Sequence, residues 1–140
     1  MATFTKFYCL TEDLAEGKHN LGSDAIKIML TNVAPNVATH TVKTDITEIA
    51  AGFGYSAGGT AAAIASSAQT LGVYKLVIDD VTFTASGGTM ATFQYAVLYN
   101  DTSATKPLIG YYDKGSAISL TDPDFTLVDF SAATGVLTLT

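Results

Sequence analysis

A strict alternation of side chains constrains the fold of this chain more than any other feature of its sequence. Within residues 90–99, one face of the segment holds Phe93, Tyr95, Val97 and Tyr99, and the intervening residues share the other face. A period of two is typical of a β-strand, because successive side chains of a strand point to opposite faces of the sheet. The sequence therefore predicts a strand here.

Turn signals divide the rest of the chain into further short extended segments. The run Ser86-Gly87-Gly88-Thr89 lies between two extended stretches and predicts a β-hairpin over residues 81–99. Within residues 73–85 the apolar phase changes at Asp79-Asp80, which predicts a bulge or bend. The remaining predicted strands are residues 24–31, 61–68, 108–112, 125–130 and 136–140, and the predicted single helical turns are residues 11–18 and 44–48.

Length and composition fit these strands into one domain. The chain has 140 residues, of which 48% are apolar and 14% charged, so it is hydrophobic enough to build one core. No linker divides it, and short strands recur at intervals of about a dozen residues. The sequence predicts a single all-β domain over residues 1–140, an antiparallel sandwich of the jelly-roll type with at most short helical turns.

The charged residues and the cysteine count exclude several partners. The net charge is −6, and all seven basic residues are scattered lysines, so we expect no nucleic-acid partner. No apolar run approaches ~20 residues, so we expect no membrane partner. Because Cys9 is the only cysteine, an intrachain disulfide is impossible, which favours a cytosol-like setting or a particle assembled there.

A glycine-rich stretch over residues 52–59 invites comparison with nucleotide-binding loops. A dinucleotide loop needs the spacing G-x-G-x-x-G, but here the third glycine falls one place late at Gly58, and no lysine follows as a P-loop requires. The stretch instead predicts a flexible loop that becomes ordered on contact with a partner. We expect no cofactor.

The sequence offers little for catalysis or metal binding. His19 and His40 are the only candidate bases, both lie in polar stretches expected to be exposed, and no serine lies in a G-x-S-x-G motif. We therefore expect no catalytic residue and no metal site, and we expect that the chain is not an enzyme. A calcium site remains a weaker alternative, formed either by Asp122, Asp124 and Asp129 or by Asp79 and Asp80. Sequence cannot exclude a carboxylate pair for glycoside cleavage, because the separation of the pair is spatial.

Aromatic residues supply the candidate contact surface. Neighbouring or glycine-flanked aromatics cannot all point inward, and exposed tyrosine is favoured in protein interfaces. The loop at residues 52–59, the arm before Leu10 and the terminal strand at 136–140 are predicted to contact a partner. The predicted interface residues are Phe4, Phe7, Phe53, Tyr55, Tyr111, Tyr112, Val136 and Leu139.

Several segments resemble a family of virion proteins. The stretch Gly17-Lys18-His19-Asn20-Leu21, a strand ending in L-T-N, the loop Y-S-A-G-G and the later segments VIDDVTFTASGG and AVLYNDT span about three-quarters of the chain. Together they resemble the jelly-roll cement, or capsid decoration, proteins of short-tailed bacteriophages. These strings contain no catalytic or ligand-binding signature, so no site residue carries over.

The resemblance implies a non-enzymatic protein on the exterior of a virion. Such a protein would assemble in the host cytoplasm, form a small homo-oligomer with a dimer favoured, and cement the shell by bridging subunits of the major capsid protein. Two alternatives stay open at this point. One is a carbohydrate- or receptor-binding β module of a virion, and the other is a tail or neck component.

Overall fold

Strands dominate the computed structural model, which describes residues 3–140 and confirms an all-β fold. The strands are β1 (Thr3–Lys6), β2 (Ile26–Thr31), β3 (Thr60–Ala62), β4 (Ile64–Thr70), β5 (Val73–Ile78), β6 (Val81–Thr84), β7 (Phe93–Asn100), β8 (Leu108–Ile118), β9 (Phe125–Val128) and β10 (Leu137–Leu139). The helical elements are α1 (Cys9–Ala15) and a 3₁₀ turn at Lys43–Asp45. Both helical elements lie near the positions that the sequence predicts.

The strands form three antiparallel sheets. The largest has the order β1-β8-β7-β2-β3, the second has the order β10-β5-β4, and the third is the pair β6-β9. Several neighbours are distant in sequence, since Thr3 of β1 pairs with Asp113 of β8 and Val81 of β6 pairs with Val128 of β9. The fold therefore depends on pairing between segments that no short turn connects.

The core draws side chains from all three sheets. Ile28 and Leu98 of the five-stranded sheet share one apolar cluster with Leu76 of the three-stranded sheet and Phe83 of the two-stranded sheet. The opposite face of the five-stranded sheet buries a second cluster that contains Met29 and packs against Cys9 of α1. Both faces of β2 and β7 are thus largely covered, which explains the nearly continuous burial along these strands.

The predicted hairpin over residues 81–99 is wrong. Strand β6 pairs with β9, whereas β7 pairs with β2 and β8, so the glycines at 87 and 88 connect two different sheets. The bend at Asp79-Asp80 is confirmed, because β5 before it and β6 after it belong to separate sheets. Strand β8 also continues beyond its predicted end, through Gly115, to Ile118.

The glycine-rich loop at residues 52–59 packs tightly against its own chain. Gly54 and Gly59 have φ values of +97° and +80°, a region that L side chains rarely adopt. A Cβ atom at Gly54 would lie 2.0 Å from the carbonyl oxygen of Thr84, and one at Gly59 would lie 1.9 Å from that of Ile28. These glycines therefore let the loop close on the domain itself.

No helix within residues 3–140 has the length and apolar character needed to cross a membrane.

Candidate functional site

The structure separates the eight predicted interface residues into three groups. Phe53 and Leu139 are exposed, with 54% and 46% of their surface accessible, and Phe4 and Tyr111 are half-buried. The other four are buried in the core: Phe7, Tyr55, Tyr112 and Val136. The side chains of these four cannot contact a partner unless the chain rearranges, so their assignment as surface anchors is corrected here.

Tyr55 is buried because its hydroxyl group joins two parts of the core. The hydroxyl donates to Oε1 of Glu48 at 2.6 Å and accepts the backbone N–H of Leu30 at 3.1 Å. Burial, followed by the hydrogen bond to Glu48, raises the pKa of Tyr55 far above its ordinary value. Tyr55 therefore has a structural role, unlike its neighbour Phe53, which lies on the surface.

Aromatic contacts and strand pairing hold the other three buried residues. The ring of Phe7 lies 5.7 Å from that of Tyr111, and the ring of Tyr112 lies 5.2 Å from that of Phe130. Burial, followed by the charge of Asp129, raises the pKa of Tyr112 to about 12. The backbone N–H of Val136 donates to the carbonyl oxygen of Leu76 at 2.7 Å, which fixes the entry to β10.

An exposed apolar surface lies instead on the two-stranded sheet. Phe125 and Leu127 of β9 are 66% and 49% accessible, and they lie beside the exposed Thr82 and Thr84 of β6. We call these four residues the β6–β9 surface. Phe125 and Leu127 alternate with Thr126 and Val128 in the sequence. Such apolar alternation normally indicates the buried face of a strand, so the sequence does not reveal that these two side chains are exposed.

Strand β9 also leaves one edge unpaired, because β6 is its only neighbour among the described strands. A groove of about 450 Å³ lies between β9 and the five-stranded sheet, with Thr126 and Val128 on one side and Gln94 and Tyr112 on the other. The ammonium group of Lys114 reaches across to the hydroxyl of Thr126 at 3.4 Å. Strand β9 therefore has an unpaired edge and a groove beside it.

Acidic residues flank the β6–β9 surface at both ends of the ribbon. They are Asp79, Asp80, Asp122, Asp124 and Asp129. None of them forms a salt bridge within the part of the chain that the structure describes. The sequence has no basic residue between 76 and 105 and none after Lys114. The ammonium group of Lys114 lies at Thr126 of β9, so five aspartates and this one lysine surround the surface, which leaves it net negative.

The same aspartates do not gather into a cluster of three metal-ligating side chains within residues 3–140. No three His, Cys, Asp or Glu side chains of residues 3–140 are grouped closely enough to hold a metal ion. Two of the aspartates have structural partners, since Asp80 accepts the N–H of Phe130 at 2.7 Å and Asp122 accepts that of Gly87 at 2.9 Å. These hydrogen bonds position the connections next to β6 and β9.

The expectation that both histidines are exposed is wrong for His19, which is only 7% accessible. Its Nδ1 lies 3.0 Å from Nδ2 of the fully buried Asn100, and that same amide nitrogen donates to Oδ2 of Asp24 at 2.6 Å. Burial is the main cause that lowers the pKa of His19 below its ordinary value. The buried polar network around His19 therefore favours the neutral form of the ring.

The other two candidate chemical groups lie elsewhere and do not join His19. His40 is half-buried, and its Nδ1 accepts the backbone N–H of Asn36 at 3.1 Å. The thiol of Cys9 lies 3.6 Å from the carbonyl oxygen of Thr41, and burial followed by repulsion from Asp13 raises the pKa of this thiol. A raised thiol pKa disfavours the nucleophilic thiolate.

Comparison with known proteins gives a similarity to one curated protein. No family model and no solved structure matches the chain. The arginine biosynthesis bifunctional protein ArgJ of Mesorhizobium japonicum is 36% identical to it over 143 residues, in an alignment that covers 94% of this chain. The chain spans about a third of the length of ArgJ, since the alignment covers 34% of that protein. Because ArgJ is named for a biosynthetic activity, this similarity contradicts the expectation that the chain is not an enzyme.

Proposed function

We propose that this chain decorates the exterior of a bacteriophage capsid and binds the major capsid protein through the β6–β9 surface. Two features support the proposal. The first is the resemblance of several sequence segments to capsid decoration proteins. The second, which carries the argument, is the pair Phe125 and Leu127, exposed on a strand with an unpaired edge.

The unpaired edge of β9 supports this proposal because proteins normally protect such edges from pairing with other chains. Natural edge strands carry charged residues, prolines or bulges that prevent pairing with other chains. Strand β9 has none of these within its four residues, Phe-Thr-Leu-Val, and it presents two large apolar side chains to solvent. This arrangement favours addition of a strand from a partner, in which backbone hydrogen bonds supply affinity and side-chain contacts supply specificity.

The negative charge around the β6–β9 surface indicates which kind of partner segment it binds. With aspartates at both ends of the ribbon, the surface attracts an extended segment of the capsid protein in which apolar side chains alternate with lysine or arginine. Complementary charge accelerates association and selects against wrong partners. Many copies of a modest interface, each burying about 800 Å² per partner, would together stabilise the shell.

The test is a binding assay on purified capsids that lack the protein. Replacing Phe125 and Leu127 together by serine is expected to weaken binding at least tenfold without lowering the thermal stability of the free protein, because both side chains are exposed. The matched control is Val33→Ser, which removes a similarly exposed apolar side chain elsewhere and should bind like the wild type. Unchanged binding of the double variant would overturn the assignment of this surface.

The position of the protein on the virion is tested separately from its binding to capsids. Antibody labelling of intact particles, or imaging of particles with and without the protein, is expected to place it on the outer face of the capsid. Labelling confined to the tail or neck would contradict the proposal and favour the tail alternative.

A second candidate function rests on the similarity to ArgJ, a protein named for arginine biosynthesis. The candidate is an enzymatic activity in that biosynthesis. The test is growth of a bacterial strain that requires arginine because its own ArgJ has been deleted. Restored growth on medium without arginine, when this chain is expressed in soluble form, would support that activity. Absence of growth would leave the similarity without a functional counterpart.

A further inference from the structure

The tip of the β4–β5 hairpin exposes an apolar side chain on a strained backbone. Two residues, Leu71 and Gly72, connect the strands, and both have positive φ values, +53° and +83°. A two-residue turn of this kind favours Asn-Gly, because asparagine and glycine tolerate positive φ better than leucine does. Leu71 is also 97% accessible. The domain therefore gains no packing in return for the unfavourable conformation of this residue.

The surroundings of Leu71 suit contact with a protein. Backbone strain clusters at functional sites, where a residue serves something other than the stability of its own domain. Val73, the first residue of β5, is 39% accessible, and no residue from Ile64 to Tyr74 is charged. The cores of protein interfaces are apolar and poor in charge, and burial of a leucine side chain there is favourable. The hairpin tip thus has the chemistry of an interface core.

The hairpin tip and the β6–β9 surface lie toward opposite ends of β7. Tyr74, close to the tip, lines a groove together with His19, and His19 contacts Asn100 at the end of β7. Strand β9 instead lines a groove together with Gln94, near the start of β7. The strand between these two points spans roughly 20 Å, at about 3.3 Å per residue. The two regions also differ in charge, since aspartates flank one and the other is uncharged.

We propose that Leu71 is a second contact residue, which inserts into an uncharged apolar pocket on the capsid subunit next to the one that binds the β6–β9 surface. This inference rests on the proposed function, since both contacts are made with the capsid. One chain then joins two subunits, through a charge-dependent contact at one end and a charge-independent contact at the other. Separating the two subunits requires breaking one of these contacts in every bound chain.

A capsid subunit fits the hairpin tip better than a lipid surface does. One leucine buries too little apolar area to hold a protein on a membrane, and the net charge of −6 opposes binding to anionic lipids. A capsid, in contrast, presents neighbouring copies of one subunit at fixed spacing, so two contact points on one chain both find a partner. A second copy of this chain is the remaining occupant, and the experiment below distinguishes it by mass.

The experiment uses purified capsids that lack the protein, and it measures the affinity of each variant and the temperature at which saturated capsids release their subunits. Leu71→Asn removes the apolar side chain, and the turn tolerates asparagine. We expect it to weaken binding by about three- to tenfold. At saturation it should give less than about half of the wild-type rise in disruption temperature, because one of the two contacts is lost. The factor lost should be the same at low and high salt, since the tip is uncharged.

Two further variants at the same position control the comparison. Leu71→Met keeps an apolar side chain in the turn and should match the wild type in both measurements. Leu71→Gly also relieves the turn and should behave like Leu71→Asn, which provides a second variant if the first fails to fold.

Three results would overturn the second contact. One is a wild-type rise in disruption temperature with Leu71→Asn, and another is complete loss of its binding, which would place the tip within a single contact. The third is a lower sedimentation mass of free Leu71→Asn than of the wild type, which would show that the tip contacts a second copy. Each leaves the proposed function standing, whereas failure of the wild type to bind capsids would refute both proposals.

Discussion

At the scale of single residues, hydrogen bonds formed across long stretches of sequence decide which polar side chains are buried. His19 lies in a polar stretch that predicts exposure. It is nevertheless buried, because it hydrogen-bonds to Asn100, which is far away in the sequence. Tyr55 is flanked by glycine and serine, yet its hydroxyl links Glu48 to the backbone of Leu30. Sequence periodicity carries no information on such partners, which is why both residues were assigned to the surface.

Acidification tests the burial of His19 directly. Its pKa is lowered in the folded protein, whereas in the unfolded chain it titrates near its ordinary value of about 6.5. Below about pH 6.5 the unfolded state therefore binds more protons, and the free energy of unfolding is expected to fall until the pH lies below the folded-state pKa. Urea unfolding at pH 7.5, 6.5 and 5.5 measures this loss.

His19→Asn should remove the loss over this pH range, and His40→Asn should retain it. The pKa values of Asp45, Asp101 and Asp113 are lowered by their hydrogen bonds, so their contributions are lost only at more acidic pH, below about 4. A pH dependence that is the same in His19→Asn and in the wild type would contradict the assignment.

Removal of one oxygen atom tests the structural role of Tyr55. Tyr55→Phe leaves the buried N–H of Leu30 without its acceptor, and it is expected to lower the free energy of unfolding by about 1–3 kcal/mol. Phe53→Ser, two positions away on the exposed surface, should change stability by less than about 0.5 kcal/mol. Chemical denaturation of both variants provides the comparison, and equal stabilities would show that the Tyr55 hydroxyl contributes nothing.

At the scale of elements, local patterns predict strands well but not their neighbours. The strand predicted within residues 90–99, observed as Phe93–Asn100, and the bend at Asp79-Asp80 follow from alternation and its change of phase. The hairpin prediction fails because glycines at 87 and 88 permit a tight connection without specifying that both flanking strands belong to one sheet. Strand β1 was missed for a related reason, since it is placed by β8, to which no local signal connects it.

The hairpin of β4 and β5 offers a test of turn chemistry. Leu71 and Gly72, in the turn of this hairpin, have φ values of +53° and +83°. Leu71 is 97% accessible, so no packing of its side chain offsets the cost of the left-handed conformation. Leu71→Asn is expected to raise the free energy of unfolding by about 1 kcal/mol, because asparagine tolerates this region. Leu71→Val should have the opposite effect, and thermal unfolding of the two variants measures the difference. A lower stability of Leu71→Asn would contradict this reading of the turn.

At the scale of the whole molecule, unpaired sheet edges are available for pairing with another chain, and the net charge of −6 opposes non-specific association between copies. Besides β9, the strands β4 and β10 are edges of the three-stranded sheet, and β10 carries the exposed Leu139. We predict self-association at this edge; the resemblance to capsid decoration proteins implies a small homo-oligomer, with a dimer favoured.

Sedimentation equilibrium tests this arrangement. The wild-type chain of 14.6 kDa is expected to sediment with about twice its monomer mass. Leu139→Lys should shift it toward the monomer, because lysine on an edge strand opposes pairing with another chain. The matched variant Leu127→Lys, on the surface assigned to the capsid, should remain a dimer. A monomeric wild type at micromolar concentration would contradict the prediction.

The pairing of β1 with β8 also determines when the fold can be completed. The pairings of β1 with β8, β5 with β10 and β6 with β9 join segments far apart in sequence, so loop closure precedes these contacts. We therefore expect folding in milliseconds to seconds. During synthesis at roughly 5–20 residues per second, β1 emerges ~5–20 s before its partner. Over that interval Phe4 lacks Tyr112, against which its ring packs in the folded chain. A nascent chain halted after β7 therefore holds a first strand without the partner strand that pairs with it in the folded protein.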